Sequence, residues 1–177
     1  MAQPSESDRI RNYILVQANK LSIPELVAKV RDDTAPLREA AAAVPGDKFF
    51  ERPSADGWSG AEVFSHILDM NDIGAASIQG ILDGGAVPST IRDLMTGGTR
   101  EGLDTAEQYW AAYEAKREPL LSRVLGAKGD EHLEVTVTHS MFGRFSWREW
   151  LLFMRVHDLD HMRQLQAITA HFSGEDI

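Results

Sequence analysis

The feature that most constrains the fold is a helix-start pattern that recurs four times along the chain. In a capping box, a Ser, Thr or Asp begins the helix and a Glu follows three residues later. Each side chain then satisfies a backbone N–H group that the first turn leaves unpaired. The pattern occurs as SIPE (22–25), SGAE (59–62), DTAE (104–107) and SWRE (146–149). Four such starts in one chain favour an all-α fold.

Apolar residues that flank three of these boxes support the same helix starts. A hydrophobic staple places an apolar side chain just before the N-cap against another one turn into the helix. The pairs are Leu21 with Leu26, Trp58 with Val63, and Phe145 with Trp150.

Glycine-rich stops complete the helix boundaries, at residues 45–46, 84–85, 126–129 and 174. We therefore predict long helices at about 22–44, 60–83, 105–125 and 147–171, preceded by a shorter one at about 6–19. Pro36 falls inside the first long helix, and its missing N–H predicts a kink there. The predicted architecture is a single domain over residues 1–177: a four-helix bundle (22–171) with an extra N-terminal helix in a helical addition (1–21).

Two connections between the helices are unusual. Residues 84–104, GGAVPSTIRDLMTGGTREGLD, are too long for a tight turn, and loops of this length are usually functional or mobile. Residues 132–139, HLEVTVTH, alternate apolar and polar side chains, which predicts one short extended segment before the last helix.

Composition excludes several classes of function. The formal net charge is −9, and no block of Lys or Arg interrupts the acidity, which argues against a nucleic-acid or anionic-membrane partner. The polar N-terminus and the absence of a long apolar run predict a soluble, cytoplasmic protein. The chain has no Cys, so any metal ion must be bound by nitrogen and oxygen ligands.

Histidines interrupt the apolar stripes of two helices. In the last helix, inward positions recur at spacings of three and four and include His157 and His161. The second helix carries His66 within a similar stripe. Residues four apart on a helix lie ~5–6 Å apart at Cβ, and packed helices lie ~8–10 Å apart, so three imidazoles can meet at one ion.

Three neutral imidazoles suit Zn(II), Ni(II) or a similar divalent ion and leave a coordination position open for water or substrate. The alternative is that these are core histidines with satisfied ring nitrogens, which is the more common situation for a single His such as His66. Burial of His157 beside His161 without a shared partner would be costly. The combined pattern favours a metal site.

HDLDH (157–161) also resembles the metalloprotease pattern HExxH, in which the acid acts as a general base. Here the acid is an aspartate, one methylene shorter than glutamate. The extended protease pattern would require a third His at position 167, which is Ala. We therefore reject the protease interpretation.

Two segments resemble the DinB-like (DinB/YfiT) superfamily of metal-binding four-helix bundles. They are GWSGAEVFSHILDM (57–70) and HSMFGRFSWREWLLFMRVHDLDHMRQLQAI (139–168), with their Trp-Ser helix start, FG-containing turn and H-x-x-x-H followed by Arg-Gln. The resemblance implies His66, His157 and His161 as metal ligands, an up-down-down-up helix order and often a homodimer. Similar proteins include S-transferases and isomerases that use a low-molecular-weight thiol, and others described as metal-dependent hydrolases.

Several further residues are candidates for roles around the ligands. Asp69, Asp158 and Asp160 lie near them in sequence, and a ligating imidazole usually donates its other N–H to a carboxylate or carbonyl. The alternative is that these aspartates are simply solvated. His139 precedes the FG turn and could contribute to the site, although a turn-stabilising or exposed role is the more ordinary expectation. We expect surface positions for the remaining histidines and three arginines: His132, His171, Arg144, Arg155 and Arg163.

The leading functional hypothesis is a metal-dependent enzyme with a small-molecule substrate. It would act as a thiol-dependent S-transferase or isomerase, with zinc or nickel as the metal and possibly an external thiol as cofactor. The alternatives are a metal-dependent hydrolase that lowers the pKa of a bound water, or a non-catalytic metal-binding or stress-response module.

Overall fold

The computed structural model describes residues 5–91 and 97–174. Part of the predicted long loop, residues 92–96, lies outside the described residues, as do both ends of the predicted domain. The chain is mostly helical, and a small sheet accompanies the helices. In chain order the elements are α1 (Glu6–Lys20), α2 (Ile23–Thr34), α3 (Leu37–Ala43), a 3-10 turn (Gly46–Lys48), α4 (Gly60–Leu82), β1 (Thr90–Ile91), α5 (Ala106–Leu125), β2 (Val137–His139), β3 (Gly143–Phe145) and α6 (Trp147–Ser173).

The predicted helix starts are confirmed at three of the four capping boxes. The N–H of Ser22 donates to Glu25 at 2.8 Å, that of Ser59 to Glu62 at 2.9 Å, and that of Ser146 to Glu149 at 2.7 Å. The predicted staple at α6 is also present, because the rings of Phe145 and Trp150 meet edge to face with centroids 5.9 Å apart.

The fourth box was placed one residue too early. The N-cap of α5 is Thr105 rather than Asp104, and its partner is Gln108 rather than Glu107. The N–H groups of Asp104 and Thr105 both donate to the amide oxygen of Gln108, at 2.6 and 3.2 Å. Both registers fit the sequence pattern, and the neutral amide box is the one that forms.

Pro36 does more than kink the first predicted long helix. It separates α2, which ends at Thr34, from α3, which begins at Leu37. The backbone keeps helical angles at Ala35 and Pro36, so α3 follows α2 without an extended residue between them. The missing N–H of proline explains the interruption.

The predicted extended segment is shorter than expected and belongs to a sheet. β2 pairs in parallel with β1 and antiparallel with β3, with Ile91 opposite His139 and Val137 opposite Phe145. β1 lies within the segment that we predicted to be a loop. Two-residue strands carry too little alternation to be recognised in a sequence, and their pairing is long-range.

The helices that carry the three predicted ligand histidines, α4 and α6, pack directly against each other. α4 also contacts α5, whereas α2 and α3 contact both α5 and α6, and α1 covers α6. Gly74 of α4 sits against Met154 of α6, and a Cβ there would come within 2.5 Å of the Met154 sulfur. This close approach brings the middle parts of α4 and α6 together.

Arg148, at the start of α6, fixes α1 to the rest of the chain. Its guanidinium donates to the carbonyls of Ala18 (2.9 Å), Gly129 (3.1 Å) and Leu21. The bonds to Ala18 and Leu21 satisfy carbonyls at the end of α1, where a helix has no partners of its own. No helix in the described part of the chain is both long and apolar enough to span a membrane.

Candidate metal centre

Three histidines from two helices converge in the interior. His66 of α4 and His157 and His161 of α6 each present one ring nitrogen, and these nitrogens lie within 4.8 Å of one another. The ring centroids are 4.4 to 4.8 Å apart in all three pairs. Because all three residues lie on buried helix faces at the predicted spacings, the local periodicity accounts for their meeting.

The distances are close to those of a three-imidazole metal site. Two nitrogens bound to one ion at about 2.0–2.1 Å lie roughly 3.3 Å apart in tetrahedral geometry. The Nε2 atoms of His66 and His157 are 3.0 Å apart, a separation that suits one shared ion or a single hydrogen bond between the rings.

The electrostatics favour the form of histidine that binds metals. Burial, and to a smaller extent the neighbouring His157, lower the pKa of His161 to about 4. The ring is therefore neutral near pH 7, as a ligand must be. Its Nδ1 lies 2.9 Å from the side-chain oxygen of Gln164, which leaves Nε2 for an ion. Gln164 was not predicted as a site residue, although residues three positions apart on a helix are neighbours and its contact with His161 could have been inferred from that spacing.

A buried polar network lies behind His157. Asp158 accepts hydrogen bonds from the Tyr113 hydroxyl (2.7 Å) and from Nη2 of Arg117 (2.9 Å), both on α5. Arg117 also donates from Nε to Asn71 of α4 at 2.8 Å. The network therefore joins the three helices that surround the site.

Asp158 remains charged within this network. Burial acts to raise its pKa, but the Arg117 guanidinium, together with smaller effects of His157 and the Tyr113 hydroxyl, holds the pKa of the carboxyl below its ordinary value. Its Oδ1 lies 3.9 Å from Nδ1 of His157, which is beyond hydrogen-bond distance. The carboxylate therefore acts on the His157 ring through its charge. The role of Arg117 was not predicted, because a single Arg on a helix usually lies at the protein surface.

The other two aspartates do not join the network. Asp69 forms an ion pair with Arg100 at 2.8 Å, and both side chains are partly exposed. Asp160 is largely exposed and lies 4.0 Å from Arg163. Among the three aspartates considered, only Asp158 is buried beside a histidine of the trio.

His139 has the expected turn-stabilising role. Its Nδ1 accepts the N–H groups of Met141 (3.1 Å) and Phe142 (3.3 Å), which stabilises the turn between β2 and β3. The expectation of an exposed side chain is wrong, since His139 is buried with its ring centroid 4.5 Å from that of Phe153. It also lines a cavity that reaches two of the metal-ligand candidates.

Two cavities border the histidine trio. One, of about 210 Å³, is lined by His139, His157 and His161 together with apolar residues. The other, of about 350 Å³, lies beside the segment 56–58 and is lined by Trp58, His161 and Gln164. His161 therefore lines both cavities, so a small molecule in either cavity lies next to this histidine.

Most of the residues expected at the surface are there, with one exception. His132, His171, Arg144 and Arg163 are exposed. Arg155 is instead buried against Asp33 of α2, with Nε donating to its carboxylate at 2.6 Å. The contact spans 122 positions of sequence, so no local pattern could indicate it.

Comparison with known protein families supports the resemblance seen in the sequence. Residues 29–165 match the DinB superfamily, a span that begins inside α2 and ends in α6. The matched span contains all three histidines of the trio and the buried Asp158. A search of curated proteins finds no significant match to the chain. The chain belongs to the DinB superfamily.

Proposed function

We propose that this chain is a metal-dependent enzyme whose divalent ion is bound by His66, His157 and His161. The observation that carries the proposal is the convergence of three buried imidazoles beside a cavity of about 210 Å³. A purely structural site would have no need for an adjoining space in which another molecule could reach the ion.

The chain's own residues account for binding and orientation. A divalent ion on this ligand set would supply Lewis acidity and favour the deprotonated form of a thiol or a water. His66 and His157 would hold it between α4 and α6, and the nearby Asp158 carboxylate would fix the charge environment of His157. The three imidazoles are neutral donors, so the positive charge of the ion is retained for the reaction.

The leading reaction is a thiol-dependent transfer or isomerisation, with zinc or nickel as the metal. The chain has no Cys, so the thiol would be an external, low-molecular-weight compound. The mainly apolar cavity beside the ligands supports binding of an organic reactant rather than water alone. The protein would be cytoplasmic, and the up-down-down-up bundle order and a homodimer belong to the same proposal.

A second candidate is a metal-dependent hydrolase. It is favoured by the wider cavity beside Trp58 and Gln164, through which solvent can reach His161. A third possibility, a non-catalytic metal-binding or stress-response module, would use the same ligands without turnover.

Metal analysis of histidine variants tests the ligand assignment. We expect protein purified without affinity tags or chelators to contain one divalent ion per chain, and His66→Ala and His157→Ala each to lose it. His171→Ala is the matched control, since it removes an exposed histidine from the same helix as His157. Retention of the metal in both ligand variants would contradict the assignment.

An assay with electrophiles separates the candidate reactions. Metal-loaded protein is incubated with a small panel of electrophiles, with and without each candidate thiol. Loss of electrophile that requires both the thiol and His157 supports the transferase or isomerase. Ester hydrolysis that needs the metal but no thiol supports the hydrolase, and metal binding without turnover supports the non-catalytic module.

A further inference from the structure

The 210 Å³ cavity beside the histidines has a mainly apolar wall. Ile10 of α1, Met141 and Phe142 of the β2–β3 turn, and Phe153 and Val156 of α6 form most of it. The floor is formed by His139 and by the α6 ligands His157 and His161. Three separate parts of the chain thus contribute apolar side chains to a space that ends at the metal position.

The charges around this cavity disfavour an anion. Among the described residues that line it, the one charged side chain is Asp160, which is negative and lies at the exposed rim. Arg11 of α1 contacts the β2–β3 turn, where its Nε donates to the Phe142 carbonyl at 2.9 Å, but it does not line the cavity. A carboxylate or phosphate placed against this wall would lose its hydration without gaining a partner.

The volume limits the size of the occupant. An apolar cavity of about 150 Å³ is large enough for benzene. A space of about 210 Å³ therefore accommodates one aromatic ring with a short substituent, or a branched alkyl group of similar size. The wider and more open cavity beside Trp58 offers solvent a separate approach to His161, so the apolar cavity is not needed as a water channel.

We infer that the apolar cavity binds the uncharged, apolar part of the substrate, a single aryl ring or a short branched alkyl group, while the substrate's reactive atom faces the histidine trio. The inference deepens the proposed function and rests on it for the position of the reactive atom. It excludes substrates that carry an anionic group on this side of the metal position.

The first test uses metal-free protein with methyl-labelled methionine, because Met141 lines the cavity and its methyl resonance reports occupancy. We expect benzyl alcohol to shift the Met141 signal in a saturable way, and benzoate to bind at least ten-fold more weakly. The two probes are similar in size and differ in charge. Equal binding of the two probes, or no saturable shift with benzyl alcohol, would overturn the inference.

Variants of α1 show whether the probe occupies this cavity. Ile10→Trp fills the space, and we expect it to weaken benzyl alcohol binding at least ten-fold. Val16→Trp is the matched control on the same helix, because Val16 is 59% exposed and does not line the cavity. If Ile10→Trp disturbs folding, Ile10→Asn makes the wall polar with less change in volume and should also weaken binding. Unchanged binding in a folded Ile10 variant would contradict the inference.

The second test uses cobalt-loaded protein and two thiols with different tails. Benzyl mercaptan should produce the thiolate-to-cobalt absorption band at a concentration at least ten-fold lower than 3-mercaptopropionate does. Ile10→Trp should remove this preference. If the band forms with equal affinity for both thiols, the inference about the substrate tail fails. If the metal-free test succeeds and no band forms with either thiol, the proposed thiol chemistry fails while the cavity assignment stands.

Discussion

At the residue scale, the pairing of Arg117 with Asp158 is the most demanding interaction around the metal position. Both side chains are almost fully buried, and the two charges are 2.9 Å apart. The desolvation of such a pair offsets much of its attraction, so its presence adds little net stability. Removal of one partner destabilises the folded protein, because it leaves the other charge buried without compensation.

We therefore predict that Asp158→Asn lowers the free energy of unfolding by about 3 kcal/mol, since Arg117 is then left charged in the interior. Urea denaturation monitored by circular dichroism measures this change.

Asp160→Asn is the control for this substitution. It removes a carboxylate two positions away that is largely exposed and paired only at 4.0 Å, so we expect a change within about 0.5 kcal/mol. If the two substitutions lower the free energy of unfolding by similar amounts, the predicted cost of leaving Arg117 buried and unpaired is contradicted.

The sequence allowed the histidine trio to be predicted at this scale, but not the partners of Asp158. His66, His157 and His161 follow from helical periodicity, which is a local property of one helix at a time. Arg117 and Tyr113 reach Asp158 from another helix, 41 and 45 positions away. A pairing across that distance depends on how the helices rotate against each other, and no single helix pattern contains that information.

At the scale of elements, the start of α4 shows how a cap fixes a ligand-bearing helix. Glu62 accepts the Ser59 N–H at 2.9 Å and also receives the Arg52 guanidinium, with Nε at 2.8 Å. The bond from Arg52 is the main reason that the pKa of Glu62 lies below its ordinary value, and burial opposes the shift. His66 follows one turn later, so this cap sets where the ligand lies along α4.

We predict that Glu62→Gln lowers the free energy of unfolding at pH 7 by about 1 kcal/mol, which is typical of a weakened cap. A carboxyl with a depressed folded-state pKa stabilises the fold above its unfolded pKa, near 4.5. That contribution is lost as the pH falls through the folded-state pKa. The difference between wild type and variant should therefore be present at pH 7 and smaller at pH 3.

Urea midpoints at the two pH values measure this effect. Glu107→Gln is the control, because Glu107 is an exposed first-turn residue of α5 that is not the partner in its capping box. A difference for Glu62→Gln that persists unchanged at pH 3 would contradict the role of the carboxylate charge.

Element boundaries were predictable where a single capping pattern occurs, and less so elsewhere. DTAEQ contains two overlapping boxes one residue apart, and the sequence does not distinguish them. The small sheet was missed because β1 and β3 are two and three residues long and depend on partners far away in the chain. Pro36 was recognised as an interruption, but how far it separates α2 from α3 depends on packing against α5 and α6.

At the scale of the whole molecule, the histidine trio links α4 to α6 across the interior. An ion bound there would link α4 to α6 through His66 and His157, which lie 91 positions apart in the sequence. Any ligand that binds the folded state and not the unfolded chain raises stability by mass action. Metal binding should therefore be visible in global unfolding.

We predict that a divalent ion at 100 times its dissociation constant stabilises the protein by about 2.7 kcal/mol. For a chain of this size that corresponds to a rise in Tm of roughly 5–10 °C. Differential scanning calorimetry with and without added zinc measures the shift. His171→Ala should retain the rise in Tm and His66→Ala should lose it, whereas an equal rise in both would place the ion elsewhere.

The α1 helix lies outside the matched family span, yet Ile10 supplies one wall of the cavity while the opposite wall and the metal ligands lie inside the span. Under the proposed function, one part of the substrate cavity is therefore encoded outside the stretch that carries the histidine trio. Exchange of this one helix offers a route to new substrate preferences in which the reaction centre is inherited unchanged.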